Sequence, residues 1–173
     1  LKDKYTTLPE CASVIVKKKA SLWQRSINQS DFLTLRLGIG NTPIFAEFNY
    51  SKEGFAMEDD ELKNRIKEIV QEKKVLTNVP IVYSLVEKNI TSIIGVPELV
   101  HEFFKGQLLQ LITYHSYEFL KLVVFTDKEH ASSFEYFHNI PYLFDDTHQV
   151  RFFADDIDET KEISLYLERI YQD

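Results

Sequence analysis

The chain has 173 residues, 44% of them apolar and 13% aromatic, enough for one core-forming domain, alone or with an N-terminal extension, and too apolar for disorder. Twenty basic residues against 27 acidic ones give a net charge of −7, which argues against a generic nucleic-acid binder. One cysteine, Cys11, excludes an intrachain disulfide and fits a reducing compartment, no apolar run reaches the ~18 residues of a membrane span, and no signal peptide is apparent. The start at Leu1 and the charged, helix-like end suggest a domain excised from a larger protein.

Residues 1–21 form a mixed N-terminal linker, with Pro9-Glu10 placed to open a short helix. Lys17-Lys18-Lys19 is most simply a solvated face; contact with a membrane surface is the less favoured reading. Trp23 follows. Residues Asp31 to Gly38 alternate apolar and polar, which predicts a strand. Gly38-Ile39-Gly40-Asn41-Thr42-Pro43 reads as a turn and Ile44 to Tyr50 alternates again, so the pair predicts a hairpin. Gly38-Ile39-Gly40 lacks the third glycine and the following helix of a nucleotide loop. Ser51 to Asp60 reads as a loop, and Glu61 to Lys74 as a surface helix with an acidic start and a basic end. Pro80 to Leu85 is another predicted strand.

Thr91-Ser92-Ile93-Ile94 reads as a buried strand, Gly95 as its break, and Pro97 as the opening of a helix to Tyr114. Ile93, Ile94, Phe103, Leu108 and Leu111 are the expected core of this unit. Lys121 to Phe125 predicts a strand buried on both faces. Glu129 to Phe137 predicts a short helix, Asn139 to Tyr142 a loop, and Val150 to Ala154 a last strand. Asp155-Asp156 is placed to cap a final helix from Ile157 to Tyr171, with Ile163, Leu165, Leu167 and Ile170 as its core residues. Strand and helix alternate from Thr91 onward, which predicts an α/β fold with a mainly parallel sheet flanked by helices.

A strand, a glycine turn and a helix are also the layout of a phosphate-binding loop. A working loop reads G-x-x-x-x-G-K-[ST]; its backbone N–H groups cradle phosphate, its Lys contacts the β/γ-phosphates and its hydroxyl holds Mg²⁺. Counted from Gly95, the second glycine falls on Val100, the lysine on His101 and the hydroxyl on Glu102. Glu98 and Glu102 also put carboxylates where phosphate would sit. No cofactor and no catalytic residue is therefore expected here. The five histidines show no metal-ligand spacing. His115-Ser116 is read as a helix terminus rather than a nucleophile and its base, and Cys11 as a packed or idle thiol.

Leu22-Trp23-Gln24-Arg25 followed by Asp31-Phe32-Leu33-x-Leu35-Arg36-Leu37-Gly38-Ile39-Gly40 resembles the "LWER … DFL.LRLG.G" segment of the EssC/EccC family. The likeness continues through Asn78-Val79-Pro80-Ile81, Ile93-Ile94-Gly95, Gln107 to Leu111, His115 to Glu118, Leu120 to Val124 and Asn139-Ile140-Pro141-Tyr142. That family comprises membrane-anchored FtsK/SpoIIIE-type ATPases of bacterial type VII secretion, a virulence-associated system of protein transport. Composition points to the EssC branch of low-GC Gram-positive bacteria. The resemblance implies the region between the transmembrane helices and the first ATPase domain. Residues 1–21 would follow the membrane anchor, and residues 22–173 would form a degenerate ATPase-like domain with a β-hairpin extension. It implies a non-catalytic, ATP-free role at the cytoplasmic face of the cell membrane, with the ATP-binding sites elsewhere in the parent. The implied partners are the downstream ATPase domains, other secretion membrane subunits and further copies in an oligomer, and not nucleic acid. Trp23, Arg25, Phe32 and Arg36 are candidate interface residues, with core packing as the alternative for the aromatic ones. The rival reading is a regulatory domain holding a nucleotide or another ligand without a standard loop, through converging Lys105, Lys121 or Lys128.

Overall fold

A computed structural model describes residues 6–44 and 75–172. The chain divides into two compact units, one containing residues 36–83 and the other residues 7–35 and 84–173.

In the first unit, most of β1 (Thr34–Pro43) pairs antiparallel with most of β2 (Val75–Ser84). Gly38 to Pro43 is therefore strand and not the expected turn. None of the described glycines has a positive φ, so the Gly-x-Gly pair lies flat as extended backbone. Gly40 is needed for space instead: a Cβ there would lie 2.9 Å from Cγ1 of Ile81. The Asn78 N–H donates to Asn41 Oδ1 at 3.3 Å. The partner of β1 is thus β2. The expected strand beyond Ile44, the loop 51–60 and the helix 61–74 lie outside the described residues.

The second unit is built on α2 (Pro97–Tyr114), whose predicted bounds match the observed ones. Pro97 sits in its first turn, and Leu108 and Leu111 point into a core with Leu35, Phe137 and Leu143. α1 (Leu8–Val16) packs on α2 through Cys11 and Val14. It starts at a Glu10 carboxylate that accepts the Thr7 N–H at 2.6 Å. Where the two helices meet, α2 carries Gly106, and a Cβ there would come within 2.9 Å of Leu8 Cδ1. That atom is the end of a flexible, half-exposed side chain, so it can yield. Gly106→Ala is therefore expected to be neutral or stabilising by up to about 1 kcal/mol in urea denaturation, because alanine favours mid-helix positions over glycine. A loss above 1 kcal/mol would show that Leu8 cannot move.

The parallel sheet is much smaller than expected. β3 (Val124–Phe125) pairs with β4 (Phe153–Ala154) in the register Val124↔Phe153 and Phe125↔Ala154, and among the described residues no further strand joins them. The fold is α/β, but not a mainly parallel sheet flanked by helices. Two local readings account for the difference. Thr91 to Ile94 is not a strand, and Ile94 is 92% exposed rather than buried. β3 is covered on one face only: Val124 packs on the α2 core, while Val123 and Phe125 face outward. A β-branched run favours extended backbone, but a strand also needs a neighbour to complete its hydrogen bonds.

The expected helix at Glu129 to Phe137 is a 3₁₀ helix over Ala131–Phe137, and a second 3₁₀ turn covers Pro141–Leu143. α3 (Ile157–Gln172) closes the unit. Asp156 caps it, its Oδ1 accepting the N–H groups of Asp158 and Glu159 at 3.1 and 3.0 Å. Ile163 is buried with Phe152 and Ala154, and Leu167 packs beside them. Leu165 and Ile170 are exposed, contrary to expectation.

Candidate functional site

The loop before α2 precedes a helix, as a phosphate loop would, but follows no strand and shows none of that loop's geometry. Gly95 has no positive φ, and a Cβ on it would meet a Val100 methyl at 3.3 Å. The Val100 N–H already donates to Val96 O at 3.0 Å. His101 sets its ring edge-on to Phe134, with centroids 6.0 Å apart. Glu102 pairs with Lys105 at 2.8 Å. The three positions that would hold phosphate thus carry two committed side chains and a valine. The lysines of the rival reading are each matched to a separate carboxylate: Lys105 to Glu102, Lys121 to Asp146 at 2.9 Å, and Lys128 to Asp156 at 3.7 Å. Neither of two described cavities is lined by Gly95 or by these lysines.

The C-terminal end of α2 gathers three of the four candidate interface residues. Trp23, at φ 57°, donates its N–H to Thr113 O at 2.8 Å and its indole Nε1–H to Ile112 O at 3.1 Å. Its ring meets Tyr117 edge-on at 5.6 Å and remains 44% exposed. Arg25 is only 2% exposed, so this position is internal and not a surface contact. Its backbone N–H donates to Tyr114 O at 3.0 Å, and its guanidinium lies 3.8 Å from the Tyr114 ring centre. The same guanidinium donates to Thr34 O and lies 3.6 Å from an Asp31 carboxylate oxygen. Four polar residues thereby clamp a loop that has no regular structure of its own. Phe32 is half-buried, with its ring edge-on to His115 at 5.1 Å. Arg36 belongs to the first unit and is half-buried on β1.

His115 is the residue whose importance sequence alone understated. It is fully buried at the end of α2. Its Nδ1 lies 3.0 Å from Leu111 O, and its Nε2 accepts the Leu33 N–H at 2.9 Å. Tyr142 donates its hydroxyl to His115 O at 2.5 Å and to Ile112 O at 3.2 Å, and burial pushes this phenol up to about 12. The order "His-Ser" at a helix end was the available signal, and it indicated a terminus. The side-chain bond across 82 residues to Leu33 left no trace in local pattern.

Two described cavities lie in the second unit. One of about 360 Å³ is lined by Ile27, Phe32, Val86 and Glu87 among others. The other, about 280 Å³, sets His138 and Arg151 opposite Asp155, Glu159 and Glu162. Burial lowers the His138 imidazole from its usual range, helped by Arg151. Asp155, Asp156 and Glu159 approach closely enough to hold an ion. Asp156 is occupied as the helix cap, however, and Glu159 accepts the Asp155 N–H at 3.1 Å. Asp145 is similarly structural. Its carboxylate accepts from Thr147, Gln149 and Val150, and the Thr147 hydroxyl foremost holds it at about 2. Among the described residues no helix is long and apolar enough to cross a membrane.

No family model matches the chain. Over 139 residues it is 26% identical to the type VII secretion system protein EssC of Staphylococcus aureus (strain NCTC 8325 / PS 47), covering 80% of this chain and 9% of that protein. Over 121 residues it is 27% identical to the ESX secretion system protein YukB of Bacillus subtilis (strain 168), covering 69% of this chain and 8% of that protein. The chain thus spans less than a tenth of the length of these relatives.

Proposed function

We propose, from the premise that the chain is homologous to the EssC family of type VII secretion proteins, that it is a non-catalytic segment of a secretion motor. Its role in this reading is to couple a membrane anchor to downstream ATPase domains and to contact other subunits of the machine. The parent acts at the cell membrane, and this segment works on its cytoplasmic side. One observation carries the non-catalytic part: Val100, His101 and Glu102 stand where glycine, lysine and a hydroxyl would be required, on a helix whose first turn already carries Glu98. The partly exposed ring of Trp23 and the apolar cavity at Phe32 supply surface for a contact without supplying chemistry.

Titration of the chain with ATP and Mg²⁺ in a calorimeter is expected to give no saturable heat in the micromolar range. Micromolar binding that is lost on Gly95→Val would overturn the non-catalytic reading. A pull-down with the downstream ATPase domains tests the coupling role separately, and no retention would remove it.

A further inference from the structure

Among the described residues, two features of the second unit have no strand partner, and each has what the other needs. The first is the segment Ile90-Thr91-Ser92-Ile93-Ile94-Gly95-Val96. It is rich in β-branched residues, carries no charge, and has no strand partner among the described residues. Ile90 is 94% exposed and Ile94 92%. Ile93 and Val96 are about half exposed. Clustered apolar exposure of this kind marks a surface that something covers.

The second feature is the outer edge of β3. Val124 and Thr126 donate their N–H groups to Phe152 O and Ala154 O, both at 2.9 Å. Residues alternate between neighbours in a parallel ladder, so Val123 and Phe125 direct their backbone groups to the other side. Among the described residues no strand lies there. Val123 and Phe125 are also exposed, although parallel strands are normally covered on both faces.

The connectivity relates the two. The segment runs directly into α2, and α2 leads through residues 115–123 to β3. His101 and Phe104, in the first half of α2, pack on Phe134, which follows the C-terminal end of β3. A strand at residues 91–94 would run parallel to β3 with α2 as the crossover, the arrangement a strand–helix–strand unit favours.

We propose that residues 91–94 close onto the free edge of β3 as a third parallel strand, giving the order 91–94, β3, β4. The open arrangement described above is then one of two states of a hinged strap whose pivot is Gly95. Closure supplies ladder hydrogen bonds that neither edge makes among the described residues, and covers part of the apolar run.

Amide-resolved hydrogen exchange by NMR on the whole chain, at two protein concentrations, tests this. Alternate amides within residues 91–94 and the Phe125 amide are expected to exchange at least tenfold slower than unstructured peptide, to the same extent at both concentrations. Tenfold slowing corresponds to a closed-to-open ratio of about nine. Neighbouring strand positions face opposite sides, so one of Ile93→Pro and Ile94→Pro removes a ladder donor and should free the Phe125 amide. Exchange at unstructured rates throughout 91–94 overturns the proposal. So does Phe125 protection that survives both substitutions, or protection that grows with concentration, which would assign the edge to a second copy. If the proline variants do not fold, the wild-type exchange pattern still decides.

Discussion

Replacing Arg25 with alanine is expected to lower the unfolding free energy by about 3–4 kcal/mol, toward the lower end of the roughly 3–5 kcal/mol for breaking a buried charge pair, because the Asp31 carboxylate keeps some contact with water. The guanidinium is held from three sides: the Asp31 carboxylate at 3.6 Å, the Thr34 carbonyl, and the Tyr114 ring at 3.8 Å. Alanine leaves the buried Thr34 without this donor and opens a space against Tyr114. Arg25→Lys keeps the charge but not the planar fork, so it should recover only part of the loss. Trp23 is the sole tryptophan and lies two residues away, so its fluorescence in a urea titration reports unfolding of this unit. The outcome separates two roles. A surface contact residue would leave the isolated chain as stable as wild type and weaken only an assembly. A drop below 1 kcal/mol would therefore restore Arg25 to the interface.

Arg25 also shows where sequence reading stops. An arginine beside the only tryptophan, in a segment without periodicity, looks like contact surface, because charged side chains are rarely buried unless paired. Its partners Asp31, Thr34 and Tyr114 lie 6, 9 and 89 residues on, and no local pattern announces their convergence. The elements that were legible carry their own punctuation. α2 has Pro97 at its start and a continuous apolar stripe, and α3 has Asp156 as its cap. In β1, Gly-x-Gly and Pro43 are turn signals that extended backbone tolerates equally well. Residues 91–94 depart from their local pattern for a different reason. Strand propensity describes one chain, whereas a strand is a relation between two, and among the described residues nothing pairs with this segment. Val100, His101 and Glu102 rule out a standard loop wherever they sit, so the loss of the strand before Gly95 does not weaken that conclusion.

His115→Ala is the second large effect, an expected loss of about 2–4 kcal/mol from the same titration, combining an unpaired Leu33 N–H with a cavity. A pH profile then tests the mechanism. The Leu33 N–H can only donate, so Nε2 must be unprotonated and Nδ1–H must face the Leu111 carbonyl. Burial is the main cause holding this imidazole below its usual 6.5. The Leu111 carbonyl opposes it, Arg25 adds to it, and Asp31 opposes it more weakly. The other titratable groups against the ring are Tyr114, edge-on at 6.5 Å, and Tyr142, whose hydroxyl holds the His115 carbonyl. Burial holds the Tyr142 phenol up at about 12, so it carries no charge near pH 6. The folded form therefore resists the proton that the unfolded chain accepts. Above about pH 6.5 the group adds no pH dependence. As pH falls below that, the unfolded state binds more protons and stability drops, by up to about 1.4 kcal/mol per pH unit, until the native pKa is passed. His115→Gln cannot titrate, so its stability should fall less steeply than wild type between pH 6.5 and 5, while every other group contributes equally to both. Parallel profiles would mean that His115 is already charged in the fold, and that the bond from Leu33 does not hold the start of β1 to the end of α2.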